Sequence, residues 1–317
     1  MTKLLITRRL PDANLEAARA AYDVTLNDRE EPLSVEEARA ALHDYDAILP
    51  TLGDGFSAPA FEDEPGRCKI LANFGVGYNH IDVAAAKAAG LVVTNTPGAV
   101  TDATADIALT LMLMTCRRAG EGERLLRASK WTGWQPTQML GLHMSGKVLG
   151  IVGMGRIGKA IAKRAHFGFG MEVVFFNRSA VADAGLPARQ LGSLAEVCGA
   201  ADIVVTAVPA TPATHHLIGT AELAAMKPTA HLVNIARGDV VDETALITAL
   251  ETGLIAGAGL DVYEFEPKVP DALKAMENVV LLPHLGTAAL EVRQSMGQMA
   301  LDNLAAFVAG DPVPNPV

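Results

Sequence analysis

Between Val148 and Ser179 the chain reads VLGIVGMGRIGKAIAKRAHFGFGMEVVFFNRS, and this stretch limits the possible folds more than any other. The apolar run Val148 to Val152 predicts a strand that delivers the chain into Gly153-Met154-Gly155-Arg156-Ile157-Gly158. Ile157, Ala160, Ile161 and Ala165 then recur at helical spacing, and Glu172 to Asn177 reads as a second strand. Strand, glycine turn, helix and strand in this order form a dinucleotide-binding unit. Gly153 permits the tight turn, Gly155 leaves room for a pyrophosphate against the backbone, and Gly158 lets helix and sheet approach. The helix N-terminus adds free N–H groups and a positive dipole end.

A sheet built around such a unit has company on both sides. Strands are expected at Leu4 to Thr7, Asp46 to Pro50, Lys69 to Phe74 and Leu91 to Asn95. Helices carry Leu15, Ala18 and Ala21, then Val35 to Leu42, then Ile81 to Ala89; Ser34 and Glu37 form a capping box before the second. Residues 1–98 thus alternate strand and helix and imply a small parallel sheet of their own. Thr96-Pro97-Gly98 is a hinge, and a long helix follows from Thr101 to Arg118. Further strands are expected at Ile203 to Val208, Leu232 to Ala236, Gly257 to Val262 and Val279 to Pro283, with a helix at Asp242 to Leu250. Thr287 to Phe307 is a helix ending at Gly310, and PVPNPV is a tail. Glu121 to Lys147 loses periodicity and holds both tryptophans, Trp131 and Trp134; an excursion of that length is a lid or an intersubunit arm.

At 317 residues the chain exceeds one ordinary core, so the fold class is α/β with two doubly wound, Rossmann-like parallel-sheet domains. Half the residues are hydrophobic but only 5% are aromatic, which suits buried parallel strands flanked by helices. A formal charge of −10 argues against nucleic acid and anionic membrane surfaces as partners. Cys68, Cys116 and Cys198 are too widely spaced for a zinc site or a disulfide framework and read as buried thiols. The N-terminus lacks a signal-peptide run and Ile107 to Cys116 is too short to span a bilayer, so a soluble cytoplasmic protein is expected.

Three strand ends bring polar residues to the edge where open α/β sheets bind ligands. They are Asn234-Ile235-Ala236-Arg237-Gly238, Gly259 to Pro267 (GLDVYEFEP) and Leu282-Pro283-His284-Leu285-Gly286. Arg237, Glu266 and His284 together make an acid/base constellation. Taken singly, each has a plain reading: a solvated strand-end charge, a surface loop residue, a hydrogen-bonded core imidazole. The adjacent pair His215-His216 cannot easily face one ion, so no metal is expected. Asp102 and Asp106 resemble a carboxylate pair, with Asp102 set in a helix's first turn.

LANFGVGYNHID (71–82), NTPGAVTDATAD (95–106), LGIVGMGRIGKA (149–160), NIARGDVVDE (234–243), AGAGLDVYEFEP (256–267) and LLPHLG (281–286) together resemble the D-isomer-specific 2-hydroxyacid dehydrogenase family over the whole length. Within it the likeness is closest to the glyoxylate/hydroxypyruvate reductases. The resemblance implies NAD(P)H-dependent reduction of a small 2-ketoacid, with a nucleotide domain, 99–286 with the arm 121–147, inserted in a substrate domain made of 1–98 and 287–317. In it Arg237 holds the substrate carboxylate and carbonyl oxygen, and the backbone N–H groups near Val76 and Gly77 hold the same carboxylate. His284 is the general acid, Glu266 orients it, and Asp261 accepts from the nicotinamide carboxamide. Thr104, Ile235 and Ala236 line the cofactor site on the same likeness. A Glu at 266 rather than Gln favours carbonyl–hydroxyl interconversion over formate oxidation. Rival readings are a reductase of larger or aromatic 2-ketoacids and a non-catalytic nicotinamide-sensing binding protein of the same fold. The resemblance also suggests a homodimer in which Trp134 of one subunit reaches the substrate pocket of the other.

The end of the second strand carries the choice of cofactor. NAD-specific sites place an acid there for the ribose hydroxyls, whereas this chain has Asn177-Arg178-Ser179. No acid repels a 2′-phosphate, and Arg178 offers it a fork of donors, with Asn177 and Ser179 as further donors. NADP is therefore expected to be preferred, with NAD possible.

Overall fold

The computed structural model describes residues 1–63 and 66–317. Its contacts divide the chain into two compact units, Met1–Val100 with Thr287–Val317, and Thr101–Gly286.

The first unit begins β1 (Lys3–Ile6), α1 (Asp12–Ala21), β2 (Asp23–Leu26), α2 (Val35–Asp44) and β3 (Ala47–Leu49), then β4 (Ile70–Ala72), α3 (Val83–Ala88) and β5 (Val92–Thr94). All strand pairs are parallel, in the order β2-β1-β3-β4-β5. The helix over 35–44 starts on the expected capping box: Ser34 Oγ accepts from Glu37 N, and Glu37 Oε2 accepts from Ser34 N. β2 was not expected. It is a four-residue edge strand of alternating half-exposed residues, with too little apolar surface to announce itself.

The second unit opens with α4 (Thr101–Cys116) and α5 (Ala119–Arg127). It continues β6 (Val148–Val152), α6 (Arg156–Phe169), β7 (Glu172–Phe176), β8 (Arg189–Gln190), α7 (Leu194–Ala200), β9 (Ile203–Thr206), α8 (Thr220–Ala225), β10 (His231–Asn234), α9 (Glu243–Glu251), β11 (Gly257–Leu260), α10 (Asp271–Ala275) and β12 (Val279–Leu281). The seven strands are parallel, in the order β12-β11-β10-β9-β6-β7-β8. Each face of the sheet buries an apolar layer. One includes Leu111 and Met112 of α4 and Ile161 and Ala165 of α6; the other includes Leu194 and Cys198 of α7, Leu223 of α8 and Leu246 of α9. Two covered faces explain why these strands read as continuous apolar runs.

The chain then returns to the first unit as α11 (Leu290–Ala309), closed by Gly310 in the left-handed region (φ 79°). Ala300, Leu301 and Leu304 of α11 are buried in one layer with residues of β1, β3 and β4, among them Leu4, Leu49 and Ile70.

Two expectations need correction. The region 121–147 is not wholly aperiodic: α5 occupies its start, and its few apolar residues (Leu125 and Leu126) hide the helix from a periodicity search. PVPNPV is no free tail. Pro316 bridges Thr94 in antiparallel fashion, Val317 N–H donates to Val93 O (3.1 Å), and Asn315 N–H donates to Asn303 Oδ1 (2.9 Å). Asp102 lies in the first turn of α4, as expected, and with Asp106 it ties α4 to α6, since both accept from Arg164 (2.9 and 2.7 Å).

Each sheet has a point where strand order reverses, between β1 and β3 in the first unit and between β6 and β9 in the second. Ligands of open α/β sheets sit outside the carboxyl ends at such a point. In the first unit that crevice is taken up by its own side chains. Arg8 Nε donates to Thr51 Oγ1 (2.7 Å), the Thr7 and Thr51 hydroxyls are 3.1 Å apart, and the buried Asp54 accepts from Thr51 N (2.7 Å) and Leu33 N (2.9 Å). In the second unit it holds the glycine turn.

Candidate active site

The glycine turn leaves β6 with Gly153 at φ 101°, a backbone only glycine adopts without strain. A Cβ at Gly158 would overlap the carbonyl of Gly153, so the helix sits directly on the turn. At Gly155, by contrast, a Cβ would meet nothing within 4 Å, and no side chain caps the helix amides. That combination of open space and unfilled N–H groups fits a dinucleotide pyrophosphate. Met154 points into the core, and Ile157 packs against it, so at these positions only the backbone is offered to a ligand; Arg156 is exposed. Ile235 and Ala236 are buried at the end of β10.

Asn177, Arg178 and Ser179 follow β7 as expected, but one expected role changes. Asn177 Nδ2 donates to Ser179 O (3.0 Å) and Ser179 Oγ (3.2 Å), so both its N–H groups close a local turn and are not free donors for a cofactor. Arg178 is exposed and has no ion pair or hydrogen bond among the described residues. No carboxylate follows β7 where an NAD site would carry one.

His284 and Glu266 come from different loops of the second unit and meet: His284 Nδ1 donates to Glu266 Oε2 at 2.9 Å. Their side chains remain 29% and 30% exposed, enough to be reached by a ligand. His284 Nε2 has no hydrogen-bond partner among the described residues. Burial alone would raise the Glu266 carboxyl. The His284 hydrogen bond and charge, the Tyr263 N–H on Oε1 (3.0 Å) and the charge of Arg237 outweigh it and hold the group below the ordinary carboxylate range. Glu266 is thus ionised and fixes the proton on Nδ1.

The turn carrying His284 is strained and braced. His284 has φ 54°, rare for a residue with a side chain. Its N–H donates to Asp261 O (3.0 Å), and the Asp261 carboxylate accepts from Leu285 N (2.6 Å) and Gly286 N (2.8 Å). Thr104 Oγ1 donates to Gly286 O (3.3 Å). Asp261 and Thr104 therefore hold the His284 turn itself. A carboxylate has about four acceptor sites, which leaves Asp261 capacity for a further donor. Burial pushes its pKa up, against the pull of these N–H donors and of His284.

Arg237 lies beyond β10, on a turn organised by the buried Asn234, whose Oδ1 accepts from Thr206 Oγ1 (2.7 Å) and Ala236 N (3.0 Å) while Nδ2 donates to Arg237 O (2.9 Å). A Cβ at Gly238 would collide with the Tyr263 carbonyl, so glycine is required for the Arg237 turn to lie against the Glu266 loop. Burial lowers the Arg237 pKa, and the Glu266 and Asp239 charges oppose it; an arginine remains cationic throughout. Tyr263 ties the Glu266 and His284 loops together, because its hydroxyl donates to Leu282 O (2.9 Å), two residues before His284. Burial raises that phenol's pKa and keeps it a donor.

In the first unit, the loop after β4 turns its carbonyls inward. Asn73 Nδ2 donates to Gly75 O (3.0 Å) and Gly77 O (3.1 Å), and Asn95 Nδ2 donates to Val76 O (2.9 Å). The Val76 and Gly77 N–H groups have no acceptor among the described residues. Such a pair of amides is an anion-binding concavity. Asn73, Asn95, Asn234 and Tyr263 went unremarked as individual residues in the sequence; their work is on backbone carbonyls and turns, which no spacing rule detects.

His215 and His216 stack at 3.9 Å, and His216 Nε2 is 3.0 Å from Glu264 Oε1. No group of three or more His, Cys, Asp or Glu among the described residues is arranged to hold a metal ion. All three cysteines are buried free thiols. No described helix is long and apolar enough to cross a membrane. On the arm Trp134 is 80% exposed, and Leu126, Trp131 and Leu140 are exposed beside it in sequence.

Residues 109–286 match the family described as D-isomer specific 2-hydroxyacid dehydrogenase, NAD binding domain. The chain is 42% identical to the glyoxylate reductase of Thermococcus gammatolerans, over 98% of this chain and 94% of that protein. It is likewise 42% identical to the glyoxylate reductase of Pyrococcus furiosus, over 98% of this chain and 93% of that protein. Among solved structures it is similar to the NADPH-dependent glyoxylate/hydroxypyruvate reductase of Sinorhizobium meliloti in complex with NADP and malonate. The TM-score is 0.89 and the identity 35%, with 100% of this chain and 96% of that one covered.

Proposed function

Because this chain belongs to the D-isomer-specific 2-hydroxyacid dehydrogenase family, we propose that it reduces small 2-ketoacids, glyoxylate and hydroxypyruvate foremost, to D-2-hydroxyacids at the expense of NADPH. The observation that carries the reading is the 2.9 Å His284–Glu266 pair, set beside a cationic Arg237 in a unit with a dinucleotide turn. The reduced nicotinamide, when bound, supplies hydride to the carbonyl carbon. Arg237 takes the substrate's carboxylate and carbonyl oxygen through its fork of N–H groups. As charge develops on that oxygen, His284 delivers the proton from Nε2, and ionised Glu266 stabilises the imidazolium before and the ring's orientation after. The Val76 and Gly77 amides, with no other acceptor among the described residues, are the first unit's proposed carboxylate donors. Asp261 accepts from the nicotinamide carboxamide with the acceptor capacity that its own turn leaves.

The preference for NADPH over NADH rests on the absence of an acid after β7 and on unpaired Arg178. It is expected to reach at least roughly tenfold in kcat/KM, about 1.4 kcal/mol. The test is NADPH and NADH oxidation against a panel of glyoxylate, hydroxypyruvate and larger 2-ketoacids. Activity confined to bulky or aromatic ketoacids, or none on any, overturns the substrate reading. Equal efficiency with both cofactors overturns the preference.

The exposed apolar residues of the arm support a two-fold homodimer in which Trp134 of one subunit limits the pocket of the other. A monomer by light scattering at micromolar concentration refutes the dimer. A Trp134→Ala variant with unchanged ketoacid preference refutes the pocket role alone.

A further inference from the structure

We propose that Gln190 is a positioning residue for cofactor selection, holding the loop that presents Arg178 to the 2′-phosphate; this rests on the NADPH reading above. The loop leaves β7 at Asn177, and β8 lies parallel to β7 with Phe175 opposite Gln190. From that place the Gln190 carboxamide makes three hydrogen bonds to the loop. Nε2 donates to Asn177 O (3.2 Å) and Ser179 O (3.0 Å), and Oε1 accepts from Val181 N (2.9 Å). Both N–H groups of the amide are used, and they fasten the backbone on either side of Arg178. The Asn177 amide closes the same turn from within, on Ser179 O and Oγ.

The arrangement separates a fixed backbone from a free side chain. Arg178 has no partner of its own among the described residues, and the acceptors that compete for its guanidinium, the carbonyls of Asn177 and Ser179, are already bonded to Gln190. Ser179 Oγ, which accepts from Asn177, keeps its own proton to donate outward. Ordering a loop at the moment of binding weakens a complex; a loop fastened beforehand avoids that cost. The glycine turn after β6 holds the pyrophosphate independently of this loop, so the effect of Gln190 falls on the 2′-phosphate and spares the rest of the nucleotide. Gln190 is exposed, and its replacement disturbs no core.

The experiment compares binding of adenosine 2′,5′-bisphosphate and adenosine 5′-monophosphate to the full chain by calorimetry, for the parent, Gln190→Met and Arg178→Ala. Methionine keeps the length of the side chain and removes the three hydrogen bonds. Gln190→Met is expected to weaken the bisphosphate about three- to tenfold while leaving the monophosphate within about twofold, as loss of a few exposed neutral hydrogen bonds allows. In turnover, KM for NADPH rises with kcat unchanged. Equal weakening of both fragments overturns the inference, because the residue then supports the pocket generally. Unchanged bisphosphate binding in Gln190→Met, with weakened binding in Arg178→Ala, also overturns it and leaves the NADPH reading standing. Unchanged bisphosphate binding in Arg178→Ala overturns the reading and the inference together.

Discussion

The two parallel sheets obey one topological rule and reach opposite results. Each reverses its strand order once and so opens a crevice at its carboxyl edge. In the first unit Thr7, Arg8, Thr51 and Asp54 bond to one another across that crevice. In the second, Gly155 leaves it empty beside a helix whose amides no side chain caps. The units differ in the same way in their chemistry. The loop after β4 carries the Val76 and Gly77 N–H groups among carbonyls held by Asn73 and Asn95, whereas the loops after β10, β11 and β12 carry an arginine, a glutamate and a histidine. Topology provides a place to bind, and a few side chains decide whether it stays open and what it can do.

If proton transfer resides wholly in the second unit, His284→Ala removes about 10²–10⁴-fold of kcat while cofactor fragments still bind. Turnover within a few-fold of the parent would place the acid elsewhere. The openness of the second crevice is tested by Gly155→Val. A Cβ at this position meets nothing of the protein within 4 Å, so thermal stability should hold while cofactor affinity falls about 10–100-fold, the cost of an overpacked contact. An unaffected dissociation constant would mean that the pyrophosphate does not cross this turn.

The proposed role of the first unit as a passive amide donor predicts a different kinetic signature. Asn73→Ala releases the Gly75 and Gly77 carbonyls and should raise ketoacid KM about tenfold with kcat and its pH profile nearly unchanged. A matching loss in kcat would show that this loop acts in the transition state.

The smallest effect concerns the Glu266 charge in the second unit. Glu266 is held below its ordinary pKa, so its contribution to stability is present above the unfolded value and is lost as pH falls through the folded one. The melting-temperature gap between the parent and Glu266→Gln should therefore narrow on acidification below the ordinary carboxylate range. A gap that widens there would reverse the assigned sign.

Much of this was open to reading in the residues. Gly153, Gly155 and Gly158 announced their unit because each glycine answers to a separate steric demand, and two of the three admit no side chain. Ser34 and Glu37 marked a helix start for the same local reason. What escaped notice depends on partners distant in sequence. β2 and β8 are short edge strands whose pairing, not composition, defines them. The braces on the site, Asp261 on the His284 turn and Tyr263 on Leu282 O, join a side chain to a backbone group about twenty residues away. Nothing in the spelling of such a residue distinguishes it from an ordinary polar side chain. Asn177 went the other way: a donor by composition, it was already committed to its neighbour.

The return of α11 to the first unit carries a consequence for the order of events during synthesis. The layer containing Leu4, Leu49 and Ile70 stays unsealed until Ala300, Leu301 and Leu304 arrive, and the whole of Thr101–Gly286 is translated in between. At about 5–20 residues per second that interval is on the order of ten seconds or more, ample for the contiguous second unit to fold. A nascent chain stalled past Gly286 should then yield a protease-resistant nucleotide-binding unit preceded by a cleavable first hundred residues. Resistance in the first unit appears only once α11 has emerged, so the half of the protein that is made first is the half that is finished last.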